Sequence, residues 1–232
     1  MDGASDLPGA GSVLAVCAHP DDESFGLGAV IDAFCSRGAR VSVLSFTHGE
    51  ASTLHGVAGD LFATRADELR CAAAKLGVER VELFDHPDGG LQDEPLDVLA
   101  AEVAGCAREV GADLLLVFDE GGITGHADHD RATSAALAGA AHLPVLAWTL
   151  PEPVAAELRS QFGGGFLGRS AEEIDAVLTV DRRRQLDAIG CHASQSNDNP
   201  VLWRRLELLG ATESLRWLRR PAERGGLLRR AS

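Results

Sequence analysis

Four times in the first two thirds of the chain, a short run that is apolar on both faces is followed by a stretch of helical periodicity. No other feature restricts the fold as much. Val13 to Ala18 leads into a helix-like stretch from Glu23 to about Arg37, and Arg40 to Phe46 into Leu61 to Leu76. Arg80 to Phe84 leads into about Pro95 to Val110, and Asp113 to Phe118 into about Asp130 to Ala141. Val145 to Leu150 supplies a fifth strand. A strand without a polar face must be covered on both sides. The alternation therefore predicts a single α/β domain over residues 12–215: a Rossmann-like layered sheet, mostly parallel, with right-handed crossovers and helices on both faces. Beyond Pro151, Gln161 to Gly168 reads as a glycine-rich loop, Ala176 to Val180 as a strand, Arg182 to Cys191 as a helix and Val201 to Leu209 as a closing helix. Ligands of such sheets bind beyond the carboxyl ends of the strands, so the segments after each strand are where chemistry belongs.

Composition narrows the function classes. A net charge of −14 repels phosphate backbones and argues against nucleic acid as a partner. No apolar run approaches the roughly 20 residues that span a bilayer, so integral membrane association is not expected. Residues 1–11 lack the basic start and apolar middle of a secretory signal and read as a disordered N-terminus, which makes the cytoplasm the expected location. Arg216, Arg219, Arg220, Arg224, Arg229 and Arg230 give residues 216–232 the character of a solvated basic tail. The cysteines, Cys17, Cys35, Cys71, Cys106 and Cys191, are odd in number and widely spaced without a C-x-x-C pair. They are expected to be mostly reduced and buried, none with the neighbours a thiol nucleophile needs.

After the first strand stands Ala18-His19-Pro20-Asp21-Asp22-Glu23, an imidazole and three carboxylates within five positions. Such charge density requires a counter-charge. His19 and Asp22 are three apart, so a turn into a helix brings both side chains to one side and leaves Asp21 free. Zinc accepts imidazole nitrogen and carboxylate oxygen, and a catalytic site keeps three protein ligands so that water takes the fourth position. The third ligand is expected from a neighbouring strand end. There the loop Gly121 to Gly125 leads into His126-Ala127-Asp128-His129, and either histidine would complete the set. Taken singly, the two segments read as an acidic helix N-cap and an exposed polar loop. At neighbouring strand ends of one open sheet, they favour a metal. Zn2+ is the expected cofactor, and two imidazoles with one carboxylate also suit Fe2+.

The AHPDDE motif at 18–23 with His126-Ala-Asp-His129 resembles the PIG-L/LmbE-like zinc N-deacetylases. That family includes enzymes acting on N-acetylglucosaminyl-phosphatidylinositol and on precursors of mycothiol and bacillithiol. The similarity extends to Thr47-His48-Gly49-Glu50, Arg65 and Glu68, Asp88-Gly89 and His192-Ala-Ser-Gln195, and so covers about residues 13–195. Ala127 stands where the family pattern has proline, which loosens the loop and leaves the ligands alone. The resemblance implies that His19, Asp22 and His129 hold the metal, that Asp21 is the general base and that His126 stabilises the oxyanion. The chemistry agrees: a free carboxylate beside a zinc-activated water can take its proton, and an imidazolium at His126 would face the tetrahedral oxyanion. Asp128 either orients an imidazole or caps the loop.

The implied substrate is a small N-acylated amino sugar or related amide that loses an N-acetyl or short N-acyl group. Arg65 and Glu68 share a helical stripe with Leu61, Leu69, Ala72 and Leu76. They pair with each other, or Arg65 reaches the substrate, the role the resemblance favours. Glu50 and Asp88 accept from sugar hydroxyls or cap turns, and His192 lines the pocket or caps a helix. Among rivals, a dinucleotide binder lacks its fingerprint, because Gly26 and Gly28 fall inside the predicted helix and the acids repel phosphate. A magnesium-dependent phosphoryl transferase would offer more acids and fewer imidazoles. A serine hydrolase would show a G-x-S-x-G elbow. An amidase for a thiol S-conjugate or a natural-product deacylase would keep both fold and metal. A homo-oligomer is compatible with the sequence, which sets no oligomeric state.

Overall fold

Strand β1 (Ser12–Cys17) runs through the middle of the molecule because neither of its faces can meet water. Val13, Ala15 and Cys17 enter one apolar core, whereas Leu14 and Val16 enter a second on the other face of the sheet. The computed structural model describes residues 7–54 and 60–222. After β1 come α1 (Asp22–Phe25), α2 (Gly28–Ser36), β2 (Arg40–Thr47), α3 (Leu61–Leu76), β3 (Arg80–His86), α4 (Leu96–Val110), β4 (Leu114–Phe118), α5 (Gly122–Gly125), α6 (Ala127–Gly139) and β5 (Val145–Pro151). The remainder is α7 (Glu152–Phe162), β6 (Gly168–Arg169), β7 (Ala176–Thr179), α8 (Arg183–Ile189), α9 (Ala193–Ser196), α10 (Pro200–Leu209) and β8 (Thr212–Arg219).

The sheet order is β3-β2-β1-β4-β5-β8-β7, with β6 pairing with β5. The first five predicted strands are parallel, and the sixth, Ala176 to Val180, forms β7; β8 lies antiparallel to β5 and β7. Leu69 and Leu76 of α3 pack with α2 against one face; Leu99 and Val103 of α4 pack with Ala132 and Ala135 of α6 against the other. The order reverses at β1, whose neighbours β2 and β4 leave it in opposite directions. That reversal opens a crevice at the carboxyl ends of β1 and β4. No described helix is long and apolar enough to cross a membrane.

Several expectations are corrected. The helix predicted from Glu23 to Arg37 divides into α1 and α2 around Gly26, where a Cβ would collide with the Phe118 ring at the end of β4. Helix α6 begins at Ala127 rather than Asp130, which makes His126 its N-cap. The basic tail is structured as far as it is described. Trp217 pairs with Leu146, Arg216 Nη1 bonds Asp119 Oδ1 at 2.6 Å, and Arg219 donates to the carbonyls of Leu137, Ala140 and Leu143. Arg224, Arg229 and Arg230 lie outside the described residues, as do residues 1–6. Leu7 is buried in the core of α2, within the segment expected to be disordered. Cys71 and Cys191 form a disulfide joining α3 to the residue after the C-cap of α8, whereas Cys17, Cys35 and Cys106 are free.

Candidate functional site

The turn after β1 holds Asp21 at φ 102°, in the left-handed region that a non-glycine residue rarely adopts. This turn puts His19 and Asp22 on one side. Asp22 Oδ2 accepts from the N–H groups of Ala18 and His19, both at 3.0 Å, which fixes the carboxylate. His129, on the first turn of α6, arrives from the end of β4. Its Nε2 lies 3.2 Å from His19 Nδ1 and 3.1 Å from Asp22 Oδ1, with His19 Nδ1 3.8 Å from Asp22 Oδ2. Donors about 2.0–2.1 Å from a tetrahedral ion are roughly 3.3 Å apart, so these separations fit.

The outward-facing nitrogens make the same point. His129 Nδ1 meets the Gly122 carbonyl at 3.1 Å; His19 Nε2 meets Asp128 Oδ2 at 3.2 Å and Asp88 Oδ1 at 3.1 Å. Acceptors there place the N–H groups on the outside and leave two nitrogen lone pairs facing Asp22. Burial depresses the His19 pKa, but the bonds to Asp128 and Asp88 and the charge of Asp22 outweigh it and raise it to about 10. The cluster thus takes a positive charge, as a proton or as a metal ion. His19, His126 and Asp128 form a second grouping of possible donors, but Asp128 is fully buried and already accepts from Gly89 N–H at 2.8 Å and Leu91 N–H at 3.2 Å. The set His19, Asp22 and His129 fits a metal better.

Asp21 belongs to a different network. Its Oδ2 accepts from Arg65 Nη2 at 2.8 Å, and its N–H donates to Glu23 Oε2 at 2.9 Å. Arg65 is buried and also donates to the Pro20 carbonyl and, at 2.5 Å, to the Gly49 carbonyl. Gly49 has φ 64°, and a Cβ there would strike the guanidinium, so only glycine permits this approach. Burial, reinforced by Asp22 and opposed by Arg65, raises the Asp21 pKa to about 6. His126 is exposed at the rim, its centroid 4.8 Å from that of His19, and its Nδ1 accepts from Asp128 N–H at 3.2 Å. Burial and the charges of His19 and His129 lower its pKa. With Nδ1 accepting, Nε2 is the ring nitrogen left to donate toward the cavity that His126 lines.

A cavity of about 500 Å³ opens above these groups. Asp88 lines it, with Oδ1 on His19 and Oδ2 accepting from Ala51 N–H at 2.9 Å. Two residues expected at the substrate are absent from the wall. Glu50 supports the Asp88 turn from behind, its Oε1 accepting from Asp88 N–H at 3.0 Å. His192 is fully buried, its Nε2 2.7 Å from Glu23 Oε1, so it steadies the residue that holds Asp21. Arg65 reaches the wall, yet it does not pair with Glu68, which binds Ser194 N–H and Oγ at 2.8 and 2.6 Å. Trp148 and Arg205 also line the cavity and were not anticipated. Arg205 carried a readable signal: it shares the buried stripe of α10 with Leu202, Leu206 and Leu209, at helical spacing.

Residues 14–140 match the PIG-L family, described as GlcNAc-PI de-N-acetylase, more than half of the chain and every proposed metal donor. The chain belongs to the PIG-L family. It is 29% identical over 232 residues to the 1D-myo-inositol 2-acetamido-2-deoxy-alpha-D-glucopyranoside deacetylase of Mycolicibacterium vanbaalenii, covering 81% of this chain and 82% of that one. It is also 29% identical over 218 residues to the probable N-acetyl-alpha-D-glucosaminyl L-malate deacetylase 2 of Bacillus anthracis, covering 90% and 92%. Among solved structures, the N,N'-diacetylchitobiose deacetylase of Pyrococcus horikoshii superposes with a TM-score of 0.65 at 23% identity, over 90% of this chain and 84% of that one. GalB, the 4-carboxy-2-hydroxymuconate hydratase of Pseudomonas putida KT2440, superposes at 0.70 and 19%, over 91% and 97%. At these identities the two structures share the fold alone, and the PIG-L fold is seen to serve a hydratase as well as deacetylases.

Proposed function

We propose that this PIG-L protein is a zinc-dependent N-deacetylase that removes an acetyl or short acyl group from a small N-acylated amino-sugar conjugate. The observation that carries this reading is the convergence of His19 Nδ1, His129 Nε2 and the Asp22 carboxylate, with Asp21 beside them and outside the set. The deacetylase names of the relatives agree with it.

His19, Asp22 and His129 would hold the ion. Zinc in such a site supplies a Lewis acid for the acyl carbonyl and brings the pKa of water toward about 7. Asp21 takes the proton of the attacking water and returns it to the departing amine. A pKa near 6 suits a group that both accepts and donates near neutral pH. Arg65 and Glu23 hold its carboxylate and its backbone for both transfers. His126 offers Nε2–H from the rim to the tetrahedral oxyanion, its ring fixed by the α6 N-cap bond. Asp128 orients His19, which is its role beyond closing the loop. Water plus amide thus yields a free amine and a carboxylic acid.

The test follows amine release from N-acetylglucosamine glycosides by zinc-loaded protein. Asp21→Asn should keep its metal and lose turnover by roughly 10²–10⁴-fold. Turnover surviving that change removes Asp21 from the base role.

A further inference from the structure

Arg205 is a buried cation without an acid of its own. It is 7% exposed, lines the cavity, and stacks over Trp148 with its guanidinium carbon 5.2 Å from the ring centroid. Among the described residues it makes one hydrogen bond, from Nη2 to the Phe25 carbonyl at 2.7 Å, and its buried Nε has no partner. The acids whose charge reaches it are engaged elsewhere. Glu213 binds Arg182 at 2.5 Å and the Trp148 indole at 2.6 Å, Asp21 binds Arg65, and Asp22 faces His129. A guanidinium carries five N–H donors, and burying one unpaired is costly unless a ligand completes it. Burial lowers its pKa to about 10, which leaves it charged at neutral pH. On the same wall Ser52 Oγ donates to Gln195 Oε1, and Asn199 bonds within its own turn.

We infer that Arg205 receives an anionic group of the substrate, and that the amino-sugar conjugate this cavity takes carries a carboxylate on the portion remote from the acetamide. A single guanidinium matches a monoanion. The inference rests on the deacetylase reading for the acetamide end, while the anion end stands on Arg205 itself.

The test compares two ligands that differ only in charge, the 2-carboxyethyl glycoside of N-acetylglucosamine and its carboxamide. Wild-type kcat/KM should favour the acid by about tenfold or more, Arg205→Met should bring the ratio to about one, and Arg205→Lys should restore part of it. Equal use of both compounds by the wild type overturns the inference even if the variants fail to fold, as does a preference that persists in Arg205→Met. If neither compound releases amine, the deacetylase reading fails for these glycosides, and calorimetric titration of the zinc-loaded wild type separates the two ideas. Tighter binding of the acid sustains the role of Arg205; equal binding removes it.

Discussion

Asp21 and Asp22 are neighbours in sequence with opposite surroundings. Burial raises both, but His129 and His19 overcome it at Asp22 and hold that carboxylate well below its usual range, whereas Asp21 is left near 6. A base must be ionised to act, so kcat/KM should rise with pH on an acid limb set by Asp21, at about 6 or lower once a nearby cation favours the carboxylate. Arg65 lowers the Asp21 pKa. Arg65→Met should therefore move the limb to higher pH and cost more turnover at pH 6 than at pH 8; an unmoved limb would show that Asp21 does not set it. His129→Ala should lower metal occupancy, and His126→Ala should keep the metal and depress turnover, as metal content and rate on the same preparations would show. The opposite pattern would exchange their roles. At this scale a three-residue spacing at a strand end pointed to His19 and Asp22 and left the third donor open between His126 and His129; the structure brings His129 Nε2 to 3.2 Å from His19 Nδ1 and 3.1 Å from Asp22 Oδ1. The places of Glu50 and His192 were not legible, since each is defined by a partner far along the chain, 38 residues away at Asp88 and 169 at Glu23.

Elements show where apolar periodicity stops being informative. Helix α2 restarts at Gly28 because Phe118 occupies the space beside Gly26, and a contact with a distant strand has no local signature. Strand β8 hides its pattern behind arginines that point to Asp119 and to helix-end carbonyls. The Cys71–Cys191 bond ties α3, the carrier of Arg65, to the segment that carries His192, across a separation of 120 residues. Thiol titration under denaturing, non-reducing conditions should find three free cysteines. Cross-links over long loops are worth roughly 2–4 kcal/mol, so reductant should lower the denaturant midpoint by that equivalent. Identical unfolding curves with and without reductant would contradict a stabilising bond.

Over the whole molecule, the parallel half of the sheet was written in its strands: β1, β2, β4 and β5 are buried along nearly their whole length, and β3, with Arg80 and Glu82, takes the edge. The crevice followed from the order of β2, β1 and β4. The antiparallel edge was legible only in part: β7 falls on the run Ala176 to Val180 read as a strand, whereas β8 is charged and is placed between β5 and β7 by pairing rather than by its own periodicity. The same late part of the chain, through α10, brings Arg205 to the cavity from beyond the segment that matches the family. On the proposed reading, chemistry sits within the segment that the family model matches, and recognition of the substrate's far end beyond it. The most direct test of the central claim is a zinc titration of chelator-stripped protein, read as amine release from an N-acetylglucosamine conjugate. Activity should be absent after stripping and rise to a plateau at about one equivalent of zinc. Amine release indifferent to chelation, or none at any zinc level with a range of N-acetylated amino sugars, would contradict it.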